Sequence, residues 1–212
     1  DPDLIEAEIT GGLEHPGIVP VYALGRYDNG RPYYAMRFIR GETLRQAIER
    51  FHRPAGEGAS EASVEPSERV LGLRQLLRRF LDVCNAVDYA HSRGVLHRDL
   101  KPSNMIVGKH GETLVVDWGL AKATGSSGEP SEEGALRPPS GQDSIETLQG
   151  SPLGTPAYMS PEQADFQITD KRSDLFSVGV VLANLILGHN IFKGPTAEES
   201  RQRILKQAMT FE

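Results

Sequence analysis

The 212-residue chain, with 38% hydrophobic residues, is long enough to bury a core in one large domain or two small lobes. Its formal net charge of -6 argues against a general nucleic-acid-binding protein, because such proteins carry excess positive charge. A single cysteine, Cys84, excludes an intramolecular disulfide framework and is expected to be an apolar filler within a helix.

The first predicted elements are a helix and two strands. Helical periodicity runs from Asp3 to about Gly11, and strands are predicted at 18–27 and 32–39. Asp28-Asn29-Gly30 between the strands indicates a tight hairpin, because Asn and Gly tolerate positive φ angles. The helical pattern is already under way at Asp1, so we expect the sequence to be cut from a longer one.

Two further helices are predicted on either side of a polar insert. A short helix covers 42–52, and residues 53–68 are rich in Gly, Ala, Ser, Pro and Glu. The second stretch cannot bury enough apolar surface to order itself, so we expect an exposed insert. Apolar residues at every third or fourth position from about Ser67 to Ser92 predict a long amphipathic helix, which Gly94 ends with a left-handed cap.

The second half predicts a hairpin, a long loop and an apolar helix. The hairpin covers 104–119, and the Ser-, Gly-, Pro- and Glu-rich stretch from Ala123 to Leu153 predicts a mobile loop. Ser173 is predicted to cap a helix from Asp174 to Leu187, which Gly188 closes. The apolar run within this helix is too short to cross a bilayer, so it predicts a buried core helix.

Three oxygen-bearing side chains, Asp99, Asn104 and Asp117, lie near the ends of the short predicted β elements. Such donors suit Mg²⁺, which commonly takes few protein ligands and completes its octahedron with water and phosphate oxygens. Lys101 adds positive charge beside them. This sparse set therefore predicts a metal–nucleotide substrate and phosphoryl transfer, which depends largely on positioning and charge neutralisation.

These motifs together resemble the catalytic domain of a eukaryotic-like Ser/Thr protein kinase of the kind found in bacteria. The family pattern H-R-D-L-x-x-x-N is matched from His97 to Asn104. The family's D-F-G appears as Asp117-Trp118-Gly119, and its A-P-E appears as Ser160-Pro161-Glu162. The resemblance covers nearly the whole chain and implies an α+β, two-lobed protein kinase-like fold. Residues 1–40 would form a partial N-lobe and hinge, and 41–212 a mostly helical C-lobe without its last helices.

The resemblance implies roles for the residues of the catalytic loop. Asp99 would accept or orient the proton of the substrate hydroxyl, and Lys101 would steady the transferring phosphate. Asn104 and Asp117 would hold the Mg²⁺ ions. Thr155 would lie beside Asp99 and help to seat a hydroxyl substrate.

The resemblance also implies an ATP site. The Met36 side chain would guard the back of the adenine pocket, and backbone groups of Arg37 and Ile39 would pair with adenine. Ile106 would contribute to the same nucleotide site.

Two glutamates are expected to lack their usual family partners. Glu6 resembles the helix glutamate that pairs with the ATP-binding lysine, although a solvated helix-face glutamate, or Glu8 in that role, stays open. The family's glycine-rich loop and that lysine are absent, since the first lysine is Lys101, so we expect little or no activity from this chain by itself. Glu162 would lose the arginine that follows later in the family, and an unpaired, partly buried carboxylate would destabilise the fold.

Three residues are expected to support the catalytic loop. Asp174 resembles the acid that braces the loop backbone, with an ordinary helix-start acid as the alternative. His97 is expected to pack in the core rather than bind a metal, because no His/Cys spacing suggests zinc. Trp118 replaces the usual phenylalanine and must find a partner for its indole N–H.

Regulation is predicted from Arg98, because kinases with Arg before the catalytic Asp often pair a phosphate with basic residues. The activation segment would run from 117 to 162 and is unusually long. Ser151 is the predicted phosphorylation site, preferably by self-association and modification in trans. A plain serine in a serine-rich loop is the alternative.

We therefore expect a protein Ser/Thr kinase that uses ATP and Mg²⁺ in the cytoplasm, with no nucleic-acid partner and no membrane segment in this chain. A longer parent protein could still be membrane-anchored. The first alternative is a pseudokinase or scaffold, against which the set of Asp99, Asn104 and Asp117 argues. The second is a small-molecule phosphotransferase, which is less favoured because "GTPAYMSPEQA" resembles a protein-substrate platform.

Overall fold

The computed structural model describes residues 12–29, 32–53, 66–118, 122–123 and 155–208. The predicted helix at 3–11 and most of the predicted insert and loop lie outside these residues. Small sheets and helices alternate along the described chain, in agreement with the predicted α+β class. The elements are β1 Val21–Arg26, β2 Pro32–Met36, β3 Gly41–Thr43, α1 Leu44–His52, α2 Pro66–Ser92, β4 Val95–Leu96, β5 Met105–Gly108, β6 Thr113–Val115, β7 Lys122–Ala123, α3 Pro161–Ala164, α4 Lys171–Leu187 and α5 Ala197–Ala208, with 3₁₀ turns at Pro102–Asn104 and Pro156–Tyr158.

The predicted hairpin is confirmed, but its strands are shorter than expected. β1 pairs antiparallel with β2 from Val21 opposite Met36 to the turn. The strand predicted from Ile18 starts three residues later because Ile18 forms a parallel bridge with Val115 instead. Pro20, which lacks an N–H group, separates Ile18 from β1. The first described segment is thus attached to β6 through its backbone.

A three-stranded sheet of order β3-β5-β6 joins the short helix to the predicted second hairpin. Both pairings are antiparallel, with Thr43 opposite Ile106. Thr43 also caps α1 in a reciprocal box: its hydroxyl accepts from the Gln46 N–H at 3.2 Å, and its own N–H donates to Gln46 Oε1 at 2.8 Å. This cap starts α1 at Leu44, close to the predicted boundary.

Helix α2 forms the centre of the main core and packs against β6 and α4. It begins at Pro66, so the last three residues of the expected insert are helical; Pro is well accommodated in a first helical turn. Gly94 follows it with φ of 74°, as predicted. Cys84 is half-buried against the core. The fully or nearly buried positions of α2 are Leu76, Phe80, Val83, Ala86, Val87 and Ala90.

Helix α4 starts earlier than predicted. Asp170, not Ser173, is its N-cap, with Asp170 Oδ1 accepting from the Arg172 N–H at 2.8 Å. Both residue types are good N-caps, but Ser173 is buried in the first turn and its hydroxyl is used elsewhere. Gly188 ends the helix in the left-handed conformation, with φ of 78°, as predicted.

A second, smaller core lies where α3, α4 and α5 meet. It contains Met159, Ala164, Val180, Phe192 and Ile204, all buried. Among the helices that the structure describes, none combines the length and apolar character that crossing a bilayer would require.

Gly41, at the start of β3, provides a test of the β3–β5 contact. A Cβ atom there would clash with the backbone carbonyl of Val107, so we expect Gly41→Ala to lower the free energy of unfolding by about 1–3 kcal/mol. Gly179 is exposed within α4, and no atom of the described residues lies within 4 Å of the same added atom. Gly179→Ala should therefore raise stability by about 0.5–1 kcal/mol. Urea denaturation of both variants measures this, and equal effects of the two substitutions would contradict the packing described.

Candidate active site

Asp99 is the centre of a hydrogen-bonded network that contains four of the predicted catalytic residues. Its carboxylate is 9% exposed; Oδ1 accepts from the Thr155 N–H at 2.8 Å, and Oδ2 from Lys101 Nζ at 2.5 Å. Lys101 Nζ also donates to Thr155 Oγ1 at 2.7 Å. Asn104 Nδ2 donates to the Asp99 carbonyl at 3.0 Å. A segment 56 residues away is thereby joined to the catalytic loop, which we define as residues 97–104.

The backbone of this loop is strained immediately before Asp99. Arg98 has φ of 69°, a left-handed conformation that costs a non-glycine residue about 1–3 kcal/mol. Asp174 supports it from the first turn of α4. Its Oδ2 accepts from the His97 N–H and its Oδ1 from the Arg98 N–H, each at 2.8 Å. One carboxylate therefore fixes two successive amides of the turn that presents Asp99.

Asp174 is ionised within the core, being only 1% exposed. Burial alone would raise the pKa of its carboxyl group. Hydrogen bonds from His91 Nε2, at 2.8 Å, and from the two loop amides outweigh burial and lower the pKa below its usual value. The charge is stabilised by directed donors, as buried carboxylates require.

His97 is fully buried, as predicted, and acts as a neutral spacer beneath the loop. Burial lowers the pKa of its imidazole, although nearby acids and a backbone hydrogen bond oppose the shift. Nε2 donates to the Val116 carbonyl at 3.1 Å, and Nδ1 accepts from the Asp99 N–H at 3.3 Å. Trp118 packs against it with ring centroids 4.6 Å apart, and its indole N–H donates to the Val115 carbonyl at 3.3 Å.

Asn104 and Asp117 are brought close in the fold by the backbone. The Val116 N–H donates to the Asn104 carbonyl at 2.9 Å, and Asp117 follows with φ of 65°, a second strained position at this site. Asp117 is exposed, and within the described part of the chain its carboxylate has no ion pair. The amide nitrogen of Asn104 is used by Asp99, which leaves its side-chain oxygen for another partner.

This pair of oxygen donors fits a hydrated Mg²⁺ ion, which needs few protein ligands. Over the described ranges, no cluster of three or more His, Cys, Asp or Glu side chains forms a complete metal site. A metal held here would therefore depend on oxygens that the protein does not supply, such as those of a phosphate.

The residues expected to contact adenine lie at the end of β2, in the segment that follows it and in β5. Met36, at the end of β2, is 43% exposed. The Arg37 N–H donates to the Pro20 carbonyl at 3.2 Å, so this N–H is already used. Ile39 precedes β3, which pairs with the β5 strand that contains a half-buried Ile106. Glu6 lies outside the described residues.

The expectation that the Glu162 carboxylate is unpaired is wrong, whereas the expected loss of the family's arginine partner stays a prediction. The Ser173 hydroxyl donates to Glu162 Oε1 at 2.5 Å, and this is the hydroxyl that had been expected to cap α4. Because α4 starts earlier than predicted, Ser173 lies within its first turn, where its buried hydroxyl contacts Glu162. No local sequence pattern indicates this pairing, because it joins two separate helices, α3 and α4.

Gln163 is a supporting residue that the sequence motifs did not identify. Its side chain is 8% exposed, and its Nε2 donates to the Arg98 carbonyl at 2.8 Å. Its Oε1 accepts from the Ser160 N–H at 3.0 Å in a capping box at α3. The spacing of Ser160 and Gln163 is a recognisable capping signal. Only the folded chain reveals that Gln163 also reaches the strained turn.

Arg98 has an unsatisfied nitrogen. Its Nη2 donates to Thr169 Oγ1 at 3.0 Å, whereas its buried Nε has no hydrogen-bond partner in the described structure. Burial lowers the pKa of the guanidinium, and the charge of Asp174 opposes that shift. The predicted phosphorylation site Ser151 lies outside the described residues.

Comparison with known proteins identifies a single family over most of the chain. The model of the protein kinase domain matches residues 3–212. Serine/threonine-protein kinase PknD of Protochlamydia amoebophila is 41% identical over 207 residues, which are 96% of this chain and 20% of the relative. The PknD proteins of Chlamydia pneumoniae and Chlamydia trachomatis serovar D are 35% and 34% identical over 188 residues, covering 86% of this chain and 19% of each relative. The chain thus spans about a fifth of the length of these curated relatives.

The support of the strained turn can be tested at Asp174. Asp174→Ala leaves two buried amides and His91 without their acceptor, so we expect the free energy of unfolding to fall by about 3–5 kcal/mol in urea denaturation. Asp88 is exposed on α2, and Asp88→Ala should change stability by less than about 0.5 kcal/mol. A similar small effect of both substitutions would show that Asp174 does not stabilise the turn.

Proposed function

The chain belongs to the protein kinase family, and on that premise we propose that the protein transfers the γ-phosphate of ATP to Ser and Thr hydroxyls of other proteins. The observation that carries this proposal is the network that joins Asp99, Lys101 and Thr155. This network brings a carboxylate, an ammonium group and a hydroxyl together in one half-buried site. Phosphoryl transfer to an alcohol needs a proton acceptor and positive charge together.

In this proposal Asp99 is the proton acceptor. The substrate hydroxyl oxygen bonds to the γ-phosphorus, the bond from that phosphorus to the leaving oxygen of ADP breaks, and the hydroxyl proton passes to the Asp99 carboxylate. The Thr155 N–H, at 2.8 Å from Oδ1, fixes the orientation of the carboxylate. This hydrogen bond connects Asp99 to the segment that resembles a protein-substrate platform and contains Thr155.

Lys101 and a Mg²⁺ ion held by Asn104 and Asp117 would balance the negative charge of the phosphate. Lys101 Nζ, held between Asp99 and Thr155, offers positive charge where the phosphoryl group would pass. Asn104 and Asp117 would hold Mg²⁺, which when bound neutralises charge on the phosphate oxygens. The hydrogen bond from Asn104 Nδ2 to the Asp99 carbonyl would keep the metal ligand and the base in fixed relation.

The nucleotide would bind between β2 and β5. Because the Arg37 N–H is occupied by Pro20, the Arg37 carbonyl is the group that would pair with adenine, together with a backbone group of Ile39. Met36 and Ile106 would pack against the base. Glu6 would pair with an ATP-binding lysine, which would have to come from a longer parent protein because the first lysine here is Lys101. Since the reaction consumes ATP, a cytoplasmic location is part of this proposal.

The role of Asp99 as proton acceptor can be tested with Asp99→Asn in the full-length protein. Phosphate transfer is assayed with labelled ATP, Mg²⁺ and a generic protein substrate. We expect kcat to fall about 10²- to 10⁴-fold, the range of a lost general base. Asp88→Asn, exposed on α2, should leave kcat unchanged. Full activity of folded Asp99→Asn would contradict the assigned role. Transfer to small alcohols but never to protein would favour a small-molecule phosphotransferase, and a folded but inactive wild type would favour a scaffold.

Regulation through Ser151 is the second part of the proposal. The buried Arg98 Nε, without a hydrogen-bond partner among the described residues, supports it because a phosphate would supply acceptor oxygens. We expect modification in trans between two copies of the active full-length protein. Phosphopeptide mapping should find phosphate on Ser151, and its restriction to other positions would contradict this assignment.

A further inference from the structure

A cleft of about 660 Å³ opens beside the candidate active site and shares Lys101 and Thr155 with it. Its other walls are the first two turns of α1, the 3₁₀ turn at 156–158 and the segment 188–200. Ligand-binding pockets typically measure about 300–1,000 Å³. The cleft therefore has room for several side chains of a substrate whose hydroxyl reaches the catalytic network.

The cleft combines apolar walls with fixed backbone. Ile48, Pro156, Ala157 and Pro195 contribute apolar surface. The outer wall is anchored to α5, because the Gly194 N–H donates to Ser200 Oγ at 2.9 Å. Anchoring of this kind lowers the entropy lost when a ligand binds.

The charges that line the cleft favour an anion. Among the described residues that line it, Arg45, Lys101 and Lys193 are cationic, and Glu49 supplies the one carboxylate. Arg45 Nε already pairs with Glu49 at 2.8 Å, and Lys101 with Asp99 at 2.5 Å.

Lys193 differs from the other two cations. Lys193 is exposed, and its ammonium group forms no ion pair with any carboxylate of the described residues. Its position is held through the backbone, because Arg203 Nη1 donates to the Lys193 carbonyl at 2.6 Å. This lysine gives the cleft local positive charge in a chain whose formal net charge is -6.

We infer that this cleft binds the residues that flank the phosphoacceptor of a protein substrate, and that Lys193 selects an Asp or Glu among them. The inference rests on the proposed kinase function and adds the substrate class. A carboxylate in the cleft would gain the ion pair that Lys193 lacks within the described structure, whereas a lysine would be repelled. Because Lys193 is exposed, the selection should be about two- to fivefold rather than absolute.

The test compares peptides that share one serine acceptor and differ only in flanking Glu, Gln or Lys residues. For the full-length protein we expect KM to be lowest for the Glu peptide and highest for the Lys peptide, with similar kcat. Lys193→Glu should reverse this order by about two- to fivefold, and high salt should reduce the differences because it screens exposed charges. Lys206→Glu makes the same charge change on α5 outside the cleft and should leave the order intact.

Peptide binding without ATP, measured by fluorescence anisotropy, separates this inference from the kinase proposal. Equal KM and affinity for the three peptides, or an unchanged order in Lys193→Glu, would overturn the cleft assignment alone. Binding that depends on charge and on Lys193, without phosphate transfer to any peptide, would overturn the kinase proposal and support the cleft. Neither binding nor transfer would overturn both.

Discussion

The arrangement of the site depends on one buried carboxylate, that of Asp174. It accepts the amides of His97 and Arg98 and thereby holds a left-handed residue that costs about 1–3 kcal/mol. Hydrogen bonds to a charged group each contribute about 1.5–3 kcal/mol, so two of them outweigh the strain. Gln163 adds a further bond to the Arg98 carbonyl. The strained turn is thus fixed from two helices, and its geometry does not rely on the loop's own preferences.

The support of the turn by Asp174 connects the hydrophobic core with the proposed catalytic residues. The fixed turn presents Asp99 towards Thr155 and Lys101, while the neutral His97 beneath it links the loop to Val116, next to Asp117. The proposed base, the proposed phosphate-binding lysine and the proposed metal ligands are therefore positioned by one continuous set of hydrogen bonds. The cleft beside them extends the same site towards a protein substrate, because Lys101 and Thr155 belong to both.

Local sequence patterns were sufficient to predict the structure where the residues of one element determine its conformation. The turn at Asp28-Asn29, the apolar face of α2 and the left-handed Gly94 and Gly188 follow from short-range chemistry. The start of α4 was missed because Asp170 and Ser173 are both suitable caps, and only the contact between Ser173 and Glu162 distinguishes them. The positive φ of Arg98 had no local signal either, since an arginine does not favour it and its support comes from distant residues.

The most direct test of this account is the distance from a substrate hydroxyl to Asp99, measured in a crystal structure of the full-length protein with Mg²⁺, a non-hydrolysable ATP analogue and a serine peptide. We expect the serine Oγ to lie about 2.6–3.2 Å from an Asp99 carboxylate oxygen, the separation that proton transfer requires. A serine bound elsewhere, with Asp99 still paired only to Lys101 and Thr155, would contradict the proposed phosphoryl transfer.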